Sequence, residues 1–484
     1  MATVDVDRVL ESGKLRGPAL VALLCAASSL ILDGFDIQAA GFAAPALLKD
    51  LQVERAALGP ALAASLVGMA LGAASIGALG DRWGRRRTLL LSTALFGVAT
   101  LLAATSTSVA TLAVWRFITG IGLGGALTTA TALIAEFSPR RFRSQAIGAV
   151  QVGVPIGGMI GAALAAELIP AYGWRSVFVV GGALPVLAAA VMYFVLPESP
   201  RFLATRSRST PVLAKLLAKI DPGGRYAPTD IFVQGGEVST GRSGVSALFT
   251  PQLRWDTVVV SLAFFANMYA VYAFFSWAPL VLTSLGFEVA TAVKGALVFN
   301  VAGIAGVITC SLLIARFGSR RPLAIFALIA AAALAWLAWF ARGLLPLMSG
   351  IAIAGAAISA VQVGLYTLAA HVFPTECRTS GVGWVLGTGR VGGIASSLGG
   401  GLLLTLTGAG GFFGCIAAVL LLTFASVLAV HRQITASLPL PAPGPGTAES
   451  SAPGTRTSGG SLRIRSRACR PRRSSLAGCA YRPR

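Results

Sequence analysis

Two acidic residues, Asp33 and Asp36, stand in an apolar segment near the start of the chain. A carboxylate in the hydrocarbon zone of a membrane costs about 2.5–3.5 kcal/mol, so it persists only where it is paired, protonated or facing a polar cavity. Residues three apart lie on one face of a helix. We therefore expect both aspartates to face a protein interior that binds protons or ions, and we assign them to proton coupling.

Two basic residues, Arg116 and Arg390, stand in other apolar segments. A guanidinium binds a carboxylate through two parallel hydrogen bonds and keeps its charge when it is buried. Two acids and two bases balance in charge if all four share one cavity. The arginines are then candidates to bind an anionic substrate. The alternative is that these groups form structural ion pairs, and the sequence leaves both interpretations open.

The composition indicates the elements that must position these groups. The chain has 484 residues, of which 55% are hydrophobic and 12% charged, whereas a soluble domain has about 25% charged residues. About twelve apolar segments are each long enough to cross a membrane core of ~30 Å as a helix. The sequence therefore predicts an all-α integral membrane protein with twelve transmembrane helices. The segments are 19–42, 57–79, 88–108, 109–135, 144–168, 174–196, 256–282, 291–314, 322–341, 344–371, 380–405 and 409–431.

The net charge of +21 follows this topology, so we expect no nucleic-acid partner. With a cytoplasmic N-terminus, the inner loops hold 22 Lys and Arg and the outer loops five. By the positive-inside rule both termini are predicted to be cytoplasmic, in a multi-pass protein of the inner (plasma) membrane. The alternative of an N-terminal signal peptide is less favoured, because the first apolar run continues through Asp33 to Phe42.

Cofactor and metal sites are not expected. The six cysteines have no paired spacing, and the two histidines, His371 and His431, have no metal-ligating neighbours in the sequence. Two Gly-x-Gly-x-x-Gly patterns, at 120–125 and 387–392, lie within apolar spans and follow no strand. Close packing of helices through small residues explains them better than a dinucleotide site.

The two halves of the chain repeat each other. Arg82, Gly84, Arg86 and Arg87 each recur 234 residues later, in the segment 315–321. The pair Gly157-Gly158 recurs as Gly392-Gly393, 235 residues later. We therefore expect two pseudo-symmetric six-helix bundles, with a binding site between them. The predicted parts are an N-terminal segment 1–18, a first bundle 19–196, a central cytoplasmic loop 197–255, a second bundle 256–432 and an arginine-rich tail 433–484.

The tail differs in composition from the rest of the chain. It is rich in Pro, Gly, Ser and Arg and has no apolar run, so it cannot bury enough surface to fold. We predict a disordered cytoplasmic tail in contact with anionic lipid. A divergent or frame-shifted end is the alternative.

The most specific local motif is GDRWGRRR at 80–87. It resembles the loop signature of the major facilitator superfamily, as do the runs WRFITGIGLGG at 115–125, EFSPRRFR at 136–143 and PESPRF at 197–202. The resemblance implies that this loop acts as a conformational latch, while topology anchoring alone is the simpler reading of its arginines. The second copy has Ala315 in place of Asp81, so its latch is expected to be weaker or built differently. The gating candidates are Gly80, Asp81, Arg82, Gly84, Arg85, Arg86, Glu136 and Arg378.

Within this superfamily, LDGFDIQAAGFAAP at 32–45 resembles the first helix of the aromatic acid:proton symporters. The amino-acid sequences at 36–41, 141–143 and 153–157 are most similar to those of the 3-hydroxyphenylpropionate permeases in that group. The resemblance spans about residues 15–432. It implies a monomeric secondary transporter, not an enzyme, that imports a small aromatic carboxylate with protons by alternating access. The candidate acids are 3-(3-hydroxyphenyl)propionate and hydroxybenzoate-like acids. The candidate substrate-binding residues are Arg116, Arg390, Gln38, Tyr269 and Tyr366.

Two rival functions remain open at this point. The run from Gly153 to Gly158 resembles the glycine and proline pattern of proton-coupled efflux antiporters of the same superfamily. A membrane receptor or an intramembrane enzyme is disfavoured, since it would need a folded signalling domain or a nucleophile and metal cluster. Flux of a labelled solute against its gradient would separate a transporter from either of these.

Overall fold

A computed structural model describes residues 3–12, 17–139, 142–206, 210–233, 245–340, 343–374 and 377–434. The tail predicted for 435–484 lies outside the described residues. Within them the chain is almost wholly helical. The helices are α1 (Val6–Ser12), α2 (Pro18–Leu51), α3 (Gly59–Trp83), α4 (Arg85–Ala103), α5 (Val109–Phe137), α6 (Arg143–Gln151), α7 (Gly153–Tyr172), α8 (Arg175–Val195), α9 (Pro200–Ala204), α10 (Thr210–Ile220), α11 (Arg254–Ser284), α12 (Val289–Phe317), α13 (Arg320–Trp339), α14 (Leu344–Val372) and α15 (Arg378–Ala429).

The described residues contain eleven helices that are long and apolar enough to cross a membrane. The last of them, α15, has 52 residues and is interrupted at Gly408, which has φ 68° and ψ −174°. A residue in this region breaks the helical hydrogen bonding, and glycine adopts it without steric cost. The break divides α15 into two spans. The prediction of twelve transmembrane helices is therefore confirmed.

Close packing of glycine against backbone repeats in the two halves. On α7, a Cβ atom at Gly157 would overlap the carbonyl oxygen of Ile31 in α2. On α15, a Cβ atom at Gly392 would overlap the carbonyl oxygen of Phe265 in α11. Both partners of the second contact lie 234 or 235 residues after those of the first. The structure thus contains the repeat predicted from the sequence, and the small residues serve helix packing as expected.

The buried apolar side chains form three clusters. One cluster contains residues from both halves, including Phe42, Trp277 and Phe299. The second contains residues of the first half together with α1, α9 and α10, and the third only residues of the second half. The shared cluster lies toward the loops 52–58 and 104–108, which we call the closed end. At the opposite, arginine-rich end, which carries the loops around 84 and 318, each half has its own core.

The segment before the first span and the loop between the halves pack together. Strand β1 (Thr3–Asp5) pairs in parallel with β2 (Ile231–Val233), with Val4 opposite Phe232. Asp7 in α1 forms an ion pair with Arg201, whose Nη2 lies 2.9 Å from Asp7 Oδ1. The amphipathic α10 buries five side chains, and four of them, among them Leu213 and Leu217, lie in the cluster of the first half. The central segment 197–255 therefore contains helices and a strand that the sequence analysis did not predict.

The second bundle also extends past its predicted end at 432. Ser319 Oγ donates to Gln433 Oε1 at 2.6 Å, and the Ile434 amide donates to Ser319 Oγ at 2.9 Å. These residues were assigned to the tail, because polar residues after the last apolar run resemble a linker in sequence. Their hydrogen bonds place them with the second bundle.

Candidate functional site

Asp36 and Arg116 form an ion pair inside the first half. Arg116 Nη1 lies 2.7 Å from Asp36 Oδ2, and Arg116 Nη2 donates to the Asp36 carbonyl oxygen at 3.1 Å. Thr100 Oγ1 donates to the other carboxylate oxygen at 2.7 Å. The exposed fractions of the arginine and aspartate side chains are 1% and 0%. Both carboxylate oxygens are therefore occupied, and the pair is closed to a ligand in this conformation.

Four helices of the first half supply this buried pair and its neighbours. Asp36 lies on α2, Arg116 on α5 and Thr100 on α4, while the ring of Phe178 on α8 lies 6.0 Å from the Arg116 guanidinium carbon. Removal of one partner of a buried pair costs roughly 3–5 kcal/mol, because a charge is left without compensation. The pair thus ties the first half together.

Asp33 and Arg390 are placed differently. Asp33 is 2% exposed, and its Oδ1 atom is buried without a hydrogen-bond partner. Arg390, on α15 of the second half, is partly exposed, and its Nη1 atom is buried without a partner. The two side chains are close enough to interact electrostatically across the two halves. Together they leave one acceptor and one charged donor unused at the interface.

Two tyrosines of the second half neighbour the Arg390 guanidinium. Tyr272 on α11 and Tyr366 on α14 both lie close enough to the Arg390 guanidinium to interact with its charge. Tyr272 also lies close enough to Asp33 to interact with the charge of its carboxylate. The Tyr366 ring packs edge-on against Phe264, with the ring centroids 5.5 Å apart. The hydroxyl groups of two tyrosines therefore lie near the Arg390 guanidinium.

A pair of amides lies next to these tyrosines. Asn267 Nδ2 on α11 donates to Gln362 Oε1 on α14 at 2.6 Å. Asn267 is fully buried, and Gln362 is a neighbour of Tyr366. Among the residues that the structure describes, Asn267 Oδ1 and Gln362 Nε2 are both buried and have no partner in hydrogen-bond geometry, while the Gln362 amide lies beside the Tyr366 hydroxyl. The sequence analysis missed Asn267, although a lone Asn in an apolar helix is a signal that could have identified it.

Gln38 joins the two halves instead of facing the arginines. Its Nε2 donates to Asn300 Oδ1 at 3.3 Å, and Asn300 Nδ2 donates to Gln38 Oε1 at 2.9 Å. Both side chains are buried, and a Cβ atom at Gly158 would overlap the Gln38 amide. This reciprocal amide pair lies between α2 and α12. Asn300, like Asn267, is a polar residue in an apolar span that the sequence analysis passed over.

Tyr269 faces a different part of the second half. It lies next to Cys415 in the second span of α15 and packs on the cluster shared by the halves. Tyr272, three residues later, is the tyrosine of α11 that neighbours Arg390. Of the predicted substrate-binding residues, Arg390 and Tyr366 are therefore brought together, whereas Arg116, Gln38 and Tyr269 lie in other contacts.

The arginine-rich loop forms a network at its end of the first half. Arg85 lies 2.6 Å from Asp81 Oδ1 and 2.9 Å from Glu136 Oε1. The Arg86 amide donates to Glu198 Oε1 at 3.0 Å, and the Arg86 guanidinium donates to the Tyr193 carbonyl oxygen. The loop thus connects α3, α4, α5 and the segment after α8.

The remaining gating candidates support this loop or lie apart from it. The Gly80 carbonyl accepts from the Gly84 amide at 3.1 Å, and the Arg82 carbonyl accepts from Arg206 at 2.8 Å. Gly84 has φ +96°, and a Cβ atom there would overlap the Glu198 carboxylate. Glycine is thus required on both counts. Arg378 is exposed at the start of α15, where its Nε donates to the Phe373 carbonyl oxygen at 3.3 Å.

The corresponding loop of the second half keeps an arginine contact but replaces two acids by neutral residues. Arg320 donates to the Leu428 carbonyl oxygen at 3.0 Å, and these residues match Arg86 and Tyr193 in the repeat. Gln433 stands where the first half has Glu198, and it accepts from the Ser319 hydroxyl. Ala315 stands where the first half has Asp81. The acid–arginine contact of Asp81 with Arg85 is therefore not repeated at these positions.

A metal centre is not assembled by the part of the chain that the structure describes. That part contains no group of three or more His, Cys, Asp or Glu side chains placed to hold an ion.

The amino-acid sequence of the chain matches a known protein family. A family model described as "Major Facilitator Superfamily" matches residues 26–343. The chain belongs to the Major Facilitator Superfamily. Members of this superfamily are multi-pass membrane transporters, so the chain is a transporter and not an enzyme.

Relatives within the Major Facilitator Superfamily carry names of aromatic acid transporters. The chain is 35% identical over 410 residues to the gallate transporter of Pseudomonas putida, covering 84% of this chain and 90% of that one. It is 34% identical to the 4-hydroxybenzoate transporter of Pseudomonas aeruginosa, with 78% and 84% covered. It is 30% identical to the 3-(3-hydroxy-phenyl)propionate transporter of Escherichia coli, with 78% and 85% covered. The resemblance to the aromatic acid:proton symporters is confirmed.

Solved structures show the same superfamily fold. A D-xylose-proton symporter matches with a TM-score of 0.67 and 18% identity, covering 86% of this chain and 98% of that one. A bacterial homologue of the human lysosomal transporter Spinster, described as inward-facing and occupied, matches with a TM-score of 0.64 and 16% identity, covering 86% and 95%. The predicted fold class is therefore confirmed.

Proposed function

We propose that this chain imports an aromatic carboxylate together with a proton. The observation that carries the proposal is the pair of unused groups at the interface of the halves, Arg390 Nη1 and Asp33 Oδ1. Arg390 binds the substrate carboxylate, because it is the partly exposed arginine of the two and has a free donor. The rings of Tyr272 and Tyr366 border the aromatic part of the substrate.

The proposed substrate is a hydroxybenzoate-like acid. The gallate and 4-hydroxybenzoate transporters are 35% and 34% identical to this chain, and the hydroxyphenylpropionate transporter is 30% identical. All three are named for transport of an aromatic acid that carries a ring hydroxyl group. This supports hydroxylated benzoic acids first and 3-(3-hydroxyphenyl)propionate second.

Coupling to protons follows from the competition for Arg390. When Asp33 is ionised, it attracts the Arg390 guanidinium and opposes an incoming carboxylate of the same sign. When Asp33 binds a proton, this competitor is neutralised and the substrate carboxylate binds Arg390 more tightly. By linkage, the bound substrate raises the affinity of Asp33 for its proton to the same degree. Asp36 takes part by holding Arg116 in the first half.

Alternating access is the proposed mode of transport. The halves share one apolar cluster at the closed end and have separate cores at the arginine-rich end. Tight glycine contacts within each half, such as that of Gly157 with Ile31, favour motion of each half as a rigid body. Opening of the closed end would separate Gln38 from Asn300, so this amide pair stabilises the present conformation.

Replacing Asn300 alone by Leu is expected to favour opening of the closed end. Gln38 would then be a buried amide without its partner. This costs about 1–3 kcal/mol while the end is closed and is relieved by water when it opens, so the equilibrium should shift roughly 10-fold. The measurement is the labelling rate of Ser397→Cys by a membrane-impermeant maleimide, in a background without native cysteines. Ser397 is fully buried at the junction of α11 and α15.

The control is Ser349→Cys on α14, which is already exposed and should label equally in both backgrounds. An unchanged rate at Ser397→Cys in the Asn300→Leu background would contradict a role for the amide pair in holding this end closed.

The proposed orientation puts the arginine-rich end in the cytoplasm of the cell, in the inner (plasma) membrane. The excess of Lys and Arg at this end supports it through the positive-inside rule. The closed end then faces the outside of the cell. We further propose that the transporter works as a monomer, since the proposed site needs residues of one chain only.

The function is tested by uptake of labelled 4-hydroxybenzoate into cells that express the chain, with and without a protonophore. We expect uptake that rises as the external pH falls and collapses when the proton gradient is removed. Unlabelled gallate and 3-(3-hydroxyphenyl)propionate should compete, whereas D-xylose should not. Loss of preloaded acid driven by the proton gradient would instead support efflux, the rival function within the superfamily.

A further inference from the structure

We propose that Asn267 and Gln362 bind a ring hydroxyl group of the substrate and so select hydroxylated aromatic acids over unsubstituted ones. This inference rests on the proposed function, because it assigns the specificity of the same site. It concerns two polar side chains that neither the ion pairs nor the latches use.

The chemistry of the free atoms matches a hydroxyl group. Within the described part of the chain, Asn267 Oδ1 is a buried acceptor and Gln362 Nε2 a buried donor, and neither has a partner in hydrogen-bond geometry. Gln362 Nε2 also lies beside the Tyr366 hydroxyl, and its two hydrogens can serve that hydroxyl and a ligand together. A hydroxyl group donates one hydrogen bond and accepts others, so it satisfies both atoms at once. If the oxygen and nitrogen positions of both amide groups are exchanged, the pair still presents one donor and one acceptor, so it still matches a hydroxyl group. A carboxylate, which only accepts, would leave the amide oxygen without a partner.

The amides lie at a level between the two tyrosines that neighbour Arg390. α11 and α14 run antiparallel, so Tyr272, five residues after Asn267, and Tyr366, four residues after Gln362, are displaced in opposite directions from the amide pair. These separations correspond to about 6–8 Å along each helix. Both tyrosines neighbour Arg390. The amides and the guanidinium thus border one region, in which the hydroxyl and the carboxylate of one small acid can bind.

The energetic consequence is a penalty for the wrong substrate. A buried donor and acceptor that stay unpaired when an unsubstituted ring binds lose the hydrogen bonds that a hydroxyl supplies. Sites built to bind a substrate hydroxyl reject analogues that lack it much more strongly than apolar pockets reject a missing methylene. Selection at this position therefore distinguishes 4-hydroxybenzoate from benzoate and from 4-methylbenzoate, which has a similar size.

The test compares uptake of these three acids by the native chain and by Gln362→Met and Asn267→Leu. The native chain should take up 4-hydroxybenzoate at least about 10-fold more efficiently than 4-methylbenzoate. Each variant should lower the efficiency for 4-hydroxybenzoate about 10-fold and leave that for benzoate unchanged or higher. Asn300→Leu is the matched control, since it alters a buried amide outside the site and should affect all three acids alike.

Several outcomes would overturn the inference. The inference is wrong if the native chain takes up 4-methylbenzoate as efficiently as 4-hydroxybenzoate, and this result needs no folded variant. It is also wrong if the variants fold and keep the native preference for 4-hydroxybenzoate. If the native chain takes up none of the three acids, the proposed function itself fails.

Discussion

Replacing Arg390 by Gln is expected to abolish uptake of the aromatic acid while leaving the amount of folded protein unchanged. Truncation of one partner of a buried, hydrogen-bonded charge pair costs about 2–5 kcal/mol, which corresponds to a loss of roughly 30- to 5,000-fold. Arg390 Nη1 has no hydrogen-bond partner among the residues that the structure describes. Removal of the guanidinium therefore breaks no hydrogen bond of this atom, and Asp33 loses only an electrostatic attraction, which protonation of its carboxylate makes unnecessary. Arg390→Lys keeps the charge but loses the planar fork, so it should retain a small part of the uptake.

The measurement is initial-rate uptake of labelled 4-hydroxybenzoate, normalised to the amount of protein in the membrane. Arg316→Gln is the matched control, because Arg316 is an exposed arginine of the second half, at the end of α12. Near-native uptake by Arg390→Gln would contradict the assignment of Arg390 to the substrate carboxylate.

Replacing Arg116 by Gln is expected to have the opposite profile, with loss of the folded protein itself. Asp36 would remain as a buried carboxylate with Thr100 as its hydrogen-bond donor, at a cost of roughly 3–5 kcal/mol. The double variant Asp36→Asn with Arg116→Gln removes both charges and should recover most of the stability. Thermal unfolding in detergent, followed by the loss of monodisperse protein, measures both.

A double variant that is no more stable than Arg116→Gln would contradict the ion-pair argument. If the double variant is stable, its uptake shows whether Asp36 has a part in proton coupling beyond holding Arg116. Asp33→Asn in the native background is the companion experiment. It removes the acid that forms no ion pair in the described structure, so no arginine loses an ion-pair partner.

The fold could be predicted from the sequence because the membrane restricts it so strongly. Apolar length determines the number of spans, and the matches between 80–87 and 315–321 indicate the two related halves. The central segment was predicted less well. The pairing of β1 with β2 joins residues more than 200 positions apart through three residues on each side, and such short strands have no distinctive pattern.

The site was predicted as a set of residue types but not as a set of contacts. Spacing places Asp33 and Asp36 on one face of α2, yet of the two only Asp36 forms an ion pair with an arginine in the part of the chain that the structure describes. The difference arises from α4 and α5, which bring Thr100 and Arg116 to that carboxylate. Tertiary packing of this kind is not encoded in local spacing. Asn267 and Asn300 could have been found by treating every polar residue of an apolar span as a candidate.

The pairing of β1 with β2 determines what an N-terminal probe can report. Because the first strand, α1 and α10 pack on the core of the first half, a spectroscopic label near the N-terminus travels with that half. Arg8 has an 87% exposed side chain and could carry such a label. Arg254, exposed at the start of α11, could carry the second. The distance between two such labels would then act as a molecular ruler for the transport cycle.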